Sequence, residues 1–149
     1  MESIRTSISE TQAREILRSY YSLDGELSVL PGDSDLNFRV DQNGNPQYVL
    51  KISRDDSGYD NIRFQTELLD HLNNNSQIKC PKFVASSNGK VIEIFKDDVG
   101  KERLVRLLEW MPGRLWSEVN PLTDTLRLQL GRYCGQLTSA LQDFNHSYA

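Results

Sequence analysis

One lysine stands out as a residue able to do chemistry. Lys51 lies within Tyr48-Val49-Leu50-Lys51-Ile52, whose apolar, β-prone neighbours read as a half-buried strand. An ammonium group is costly to take out of water, so a lysine in such a strand needs an anion or a hydrogen-bonding partner. The chemistry this suits is the holding of an anionic group. On strand pattern alone, an edge-strand lysine pointing to water is the commoner reading. The company Lys51 keeps decides between them.

Other chemistry-bearing residues are sparse. His71 stands alone on a helix flank and reads as a surface residue, and Asp143-Phe144-Asn145-His146 reads as a frayed helix end. No Ser/His/Asp set and no metal-ligand cluster is spelled out, so no metal site is expected. Cys80 and Cys134 are far apart without metal-ligand spacing and read as free thiols in a reducing compartment. A net charge of -4 argues against a nucleic-acid partner held through phosphates. There is no apolar run able to span a bilayer and no signal peptide behind Met1. At 149 residues, 38% hydrophobic and 26% charged, the chain reads as one globular domain with a real core. A cytoplasmic location is expected.

The elements that must position Lys51 are legible in outline. Ser9-Glu10-Thr11-Gln12 fits a capping box, with Ile8 and Ala13 at the staple positions. Ala13, Ile16, Leu17, Tyr20 and Tyr21 then form one helical face, and Asp24-Gly25 is the expected stop. Glu26 to Leu30 and Leu36 to Val40 read as strands around the polar turn Pro31-Gly32-Asp33-Ser34-Asp35. Asn43-Gly44 is a strong hairpin signal leading into the lysine strand, which completes a three-stranded meander. After a loop over Arg54-Asp55-Asp56-Ser57-Gly58, a second helix is expected from about Asp60 to Leu72. At about 100° per residue, Asn61, Ile62, Gln65, Leu68, Leu69 and Leu72 fall on one face. Arg63, Glu67 and Asp70 fall opposite.

Strands at Lys82 to Ser86, Lys90 to Phe95 and Arg103 to Met111 follow, the last broken by Pro112-Gly113. A helical piece at Leu115 to Glu118 precedes a closing helix from Thr123 or Asp124. Its stripe is Leu126, Leu130, Tyr133, Leu137, Leu141 and Phe144.

This order of elements resembles the N-terminal lobe of protein-kinase-like small-molecule kinases. It is similar in particular to the aminoglycoside and hydroxylysine phosphotransferases, with their choline- and homoserine-kinase-like members. The stretches that carry the likeness are Leu30 to Val40, Tyr48 to Ile52, and Leu107-Leu108-Glu109-Trp110-Met111-Pro112-Gly113. The resemblance implies an α+β fold: an antiparallel sheet of five to six strands, one packed helix, an N-terminal helix and a long C-terminal helix. It divides the chain into a nucleotide-binding lobe over residues 1–113, with its first helix at 9–23 and its hinge at 109–113, and a linker plus first helix of a second lobe over 114–149.

The resemblance also implies roles. The turn at Gly32, Asp33 and Ser34 would fold over nucleotide phosphates, where backbone amides suit an anion. It departs from the family in having one glycine and two aspartates, Asp33 and Asp35. Lys51 matches the strand lysine that bridges the α- and β-phosphates. In the family this lysine pairs with a glutamate from the next helix. Glu67 and Gln65 lie about 200° apart on that helix, so only one faces the sheet. Gln65 belongs to the apolar stripe and is the expected partner, offering a carbonyl oxygen but no charge. Glu109 and Met111 would present a backbone carbonyl and amide to adenine, with Leu108 shaping the back wall.

The family's catalytic loop, a His-x-Asp core with an Asn and a later metal-binding Asp, follows the helix that closes this chain. The expectation is an ATP-binding part of a small-molecule phosphotransferase that is inactive alone, with Mg expected from the missing lobe. Its partners would be a nucleotide and a small-molecule acceptor of unread identity. The other readings are a non-catalytic module fused to another enzyme, such as a pyridoxal-phosphate aminotransferase, and a plain structural domain. A closing helix without its cover suggests a homodimer through that helix.

Overall fold

The computed structural model describes residues 8–53 and 58–148. The expected loop at 54–57 and the first seven residues lie outside the described residues. Among the described residues the order is α1 (Glu10–Tyr21), β1 (Glu26–Leu30), β2 (Asp35–Gln42), β3 (Asn45–Ser53), α2 (Tyr59–Asn75), β4 (Phe83–Val84), β5 (Glu93–Lys96), β6 (Glu102–Glu109), a 3-10 turn (Trp116–Glu118) and α3 (Asp124–Leu141). The fold is α+β, with a six-stranded antiparallel sheet as expected. It forms two compact units, Met1–Arg63 with Phe83–Trp110, and Phe64–Lys82 with Met111–Ala149.

The first unit holds the sheet, in the order β1-β2-β3-β6-β4, with β5 also pairing with β6. Asn43 and Gly44 both adopt positive φ, 51° and 75°, which is the twist a two-residue hairpin needs between β2 and β3. The capping box at Ser9 and Gln12 is present in both directions and starts α1. The helix ends at Tyr21, earlier than the sequence suggested, because Ser22 turns left-handed and its amide donates to Arg18. Asp24 instead accepts from Arg18 and Arg14, and these bonds hold its carboxyl well below the usual carboxylate range.

One face of the sheet makes the core. Phe38, Val40, Leu50, Ile52, Val105 and Leu107 are buried there with Ala13, Ile16, Leu17 and Tyr21 of α1. Each large apolar chain so buried is worth about 1.5–3 kcal/mol. Burial likewise pushes the Tyr21 hydroxyl up, with Glu93 adding to the effect.

The stretch from Lys82 to Phe95 pairs less than its residue types suggested. Only Phe83 and Val84 form a strand before Ser86, and β5 begins at Glu93. The reason is a side-chain-bonded turn. Ser86 Oγ donates to the buried Glu93 carboxylate at 2.6 Å and accepts from the amides of Asn88 and Lys90. Those bonds replace ladder pairing.

The second unit contains α2 from Phe64 onward and α3. Thr123 caps α3, accepting from the amide of Leu126. The second helix runs through Asn75 rather than stopping at Leu72, with Asn75 donating to the His71 carbonyl and Asn73 bridging Cys80 and Pro81. Thr66 and Leu72 are buried, whereas Glu67 and Asp70 lie on the exposed side as expected. Burial raises the Cys80 thiol pKa, and Cys134 is exposed; both are free.

The two histidines are placed differently from what the sequence suggested. His71 is half-buried, with Nε2 2.9 Å from the Ala140 carbonyl and its ring 5.2 Å from that of Phe144. The segment after Leu141 is not a frayed end. Phe144, His146 and Tyr148 pack around Phe64, and buried His146 places Nε2 3.1 Å from a Glu67 carboxylate oxygen. Its Nδ1 accepts from the Tyr148 amide. Aromatic packing and the close approach of His146 to Glu67 gather residues that have no helical periodicity, so pattern alone could not show them.

Candidate functional site

The register of the first unit sorts its strands into two faces. Asn37 on β2 is paired with Lys51 on β3, which is paired with Arg106 on β6. Cross-strand partners project to the same side, so these three side chains form a row across the sheet. Their neighbours Phe38, Leu50 and Leu107 form the next row and enter the core on the other side. Asp35, two residues before Asn37, and Leu108, two after Arg106, share the face of Lys51.

Asp35 draws the row together. Its Oδ2 accepts from Arg106 Nη2 at 2.7 Å and lies 3.3 Å from Lys51 Nζ. The burial of the three differs in a useful way. The Arg106 side chain is 2% exposed, Asp35 10% and Lys51 29%. Desolvation lowers the Arg106 pKa from its usual value, and Asp35 opposes that shift. A guanidinium stays charged throughout the accessible range, so Asp35 meets a permanent cation in Arg106 as well as the Lys51 ammonium.

The turn before β2 is anchored to this row. Asn37 Nδ2 donates to the Pro31 carbonyl at 3.3 Å. Gly32 lies against Asn37, and a Cβ there would overlap its Nδ2 and come within 2.7 Å of the Asp35 carbonyl oxygen. Only glycine fits without displacement. Gly32, Asp33 and Ser34 are all exposed.

At the far end of the row, Leu108 is buried on β6 opposite Val49 and Phe83. Glu109 ends the strand opposite Tyr48 and is exposed, and the Trp110 amide still donates to Gln47 at 2.8 Å. Met111 is exposed, and Gln65 is half-buried on α2. Among the described residues there is no group of three or more His, Cys, Asp or Glu able to hold a metal, and no helix long and apolar enough to cross a membrane. An open groove of about 710 Å³ in the second unit is lined by other residues, among them His71, Ser76, Gln136 and Asp143.

The structure thus joins Lys51 to a carboxylate that sequence reasoning treated only as part of a turn. Arg106 escaped notice altogether. The signal was present: Leu104-Val105-Arg106-Leu107-Leu108 sets one arginine in an apolar strand, as Tyr48 to Ile52 sets one lysine. A buried guanidinium needs an anion for the same reason that a buried ammonium does.

Comparison with known proteins gives the family. Residues 26–148 match the phosphotransferase enzyme family, and the chain belongs to that family. It is 30% identical over 155 residues to hydroxylysine kinase of Bos taurus and 28% identical over 157 residues to that of Mus musculus. These alignments cover 95% and 97% of the chain but 41% of each kinase. The chain therefore spans about two fifths of the length of those relatives. Among solved structures it is similar to amicoumacin kinase hAmiN in complex with AMP-PNP, Ca2+ and Ami. That match has a TM-score of 0.77 at 21% identity, over 94% of this chain and 42% of the other. It is also similar to a microcompartment-associated aminopropanol kinase, with a TM-score of 0.74 at 21% identity, over 95% of this chain and 43% of the other. The fold is that of the kinase-like small-molecule kinases.

Proposed function

We propose that this chain is the ATP-binding part of a small-molecule phosphotransferase, which moves a phosphoryl group from ATP to a hydroxyl of an amine or amino-acid-like acceptor. The observation that carries this reading is Lys51, a partly exposed ammonium on a half-buried sheet face, with Arg106 behind it and the Gly32 turn anchored beside it. Such a group of cations and turn amides suits the phosphates of a nucleotide. Gly32, Asp33 and Ser34 would lie over the phosphates, and Leu108, Glu109 and Met111 would meet the base. Magnesium and the catalytic loop would come from the rest of the whole protein.

The acceptor class follows the relatives. Hydroxylysine and aminopropanol both carry an amine and a hydroxyl, and such amino alcohols are the first acceptors to try. A cytoplasmic location suits an ATP-using enzyme with free thiols. Self-association through α3 belongs to the same proposal, since no α3 residue is buried and Leu128, Leu130, Tyr133 and Leu137 are exposed.

The test is calorimetric titration of the full-length protein with ATP and magnesium, before and after Lys51→Ala. Loss of binding in the variant is expected, together with ATP-dependent phosphorylation of an amino alcohol by the wild type. Equal ATP affinity in both proteins would overturn the reading.

A further inference from the structure

We propose that Asp35 is the positioning residue of Lys51: it is the acidic partner that aims the lysine, supplied by the sheet, with Arg106 fixing the carboxylate from beneath. The inference rests on the nucleotide-binding reading above and names how the site is kept ready.

The geometry divides the labour between the two cations. Both meet the same oxygen, Asp35 Oδ2, Arg106 at 2.7 Å and Lys51 at 3.3 Å. The shorter, charge-assisted bond is made by the more deeply buried cation, so Arg106 and Asp35 form the fixed pair. Lys51 makes the longer contact and keeps 29% of its side chain in solvent. It is the cation able to move.

The surroundings hold Asp35 in this role. It opens β2 directly after the turn, opposite Ser53, whose buried hydroxyl accepts from the Leu104 amide and ties β3 to β6 at that level. Asn37 holds the Pro31 carbonyl, and the missing side chain at Gly32 leaves room for the Asp35 carbonyl. The turn, the carboxylate and the lysine are thereby fixed to one another. An arriving phosphate draws on Lys51 while Arg106 stays on Asp35.

The experiment uses the full-length protein with ATP and an amino alcohol acceptor, and compares Lys51→Ala, Asp35→Asn and Asp35→Glu. For Asp35→Asn, kcat falls by roughly tenfold to a hundredfold, as for a misaimed reacting group, while KM for ATP does not rise. Asp35→Glu, which keeps the charge, recovers part of the loss. A residue of purely structural value would lower thermal stability but leave kcat per folded molecule within about twofold of wild type, and that result overturns the inference. A second measurement needs no variant at Asp35. In the wild-type protein, side-chain NMR follows the Lys51 Nζ and Arg106 guanidinium signals as AMP-PNP is added. The Lys51 signal shifts and that of Arg106 holds; any other pattern overturns the division of labour. If Lys51→Ala leaves ATP binding intact, the nucleotide reading itself fails. If Lys51→Ala abolishes binding but Asp35→Asn behaves as wild type, only this inference fails.

Discussion

Gly32 and Asn37 are fitted to each other: the asparagine amide donates to Pro31 and occupies the space that a Cβ on Gly32 would take. Gly32→Ala must push away either that side chain or the Asp35 carbonyl. The expected cost is about 1–3 kcal/mol, as for other overpacked sites. Asn37→Ala loses one hydrogen bond but empties the space. The double variant Gly32→Ala/Asn37→Ala is therefore expected to be more stable than the sum of the single changes predicts. Denaturant midpoints of the four proteins check this, and strict additivity would show that the two residues do not compete.

The two partners of the buried pair should not cost the same. Removing the carboxylate in Asp35→Ala leaves two cations facing each other, and a loss of about 3–5 kcal/mol is expected. Removing the guanidinium in Arg106→Met leaves Asp35 beside Lys51 and fills much of the space with an apolar chain. Its cost should be smaller, about 1–2 kcal/mol. Urea unfolding of both variants gives the order, and an equal or reversed order would contradict the shared-carboxylate arrangement.

Acid should expose the contribution of Asp97. Burial of this carboxylate works against its charge, but Arg103 at 2.8 Å and the amides of Lys101 and Val99 outweigh that and hold its pKa below the usual value. A carboxyl depressed in the folded state adds stability that is present above its unfolded pKa of about 3.9 and is lost as pH falls through the folded value. Asp97→Asn should thus lower thermal stability at pH 6, and the gap from wild type should close on acidification below about pH 4. A gap that stays constant to pH 2 would remove the ion pair from the account.

The apolar residues left exposed on α3 predict self-association of this chain. Leu128 and Tyr133 are each 58% exposed and Leu130 46%. Light scattering is expected to show a mass that rises with concentration, and Leu130→Glu is expected to suppress the rise. A monomer at high concentration excludes association through this helix.

The local structure of this protein was written in its sequence. The capping box at Ser9, the hairpin at Asn43-Gly44 and the alternating strand around Lys51 depend on contacts between near neighbours, and each appears where the residue types place it. The need of Lys51 for an anion was equally legible, because the cost of burying an ammonium does not depend on the fold. Which anion meets it in this structure was not. Asp35 and Arg106, 71 positions apart in the chain, meet only when β2, β3 and β6 come into register. The same holds for His146, which reaches Glu67 only after the chain has folded back beyond Leu141. Spacing along the chain encodes helices, strands and turns; which strand lies beside which, and therefore which charge answers which, is settled by tertiary pairing alone.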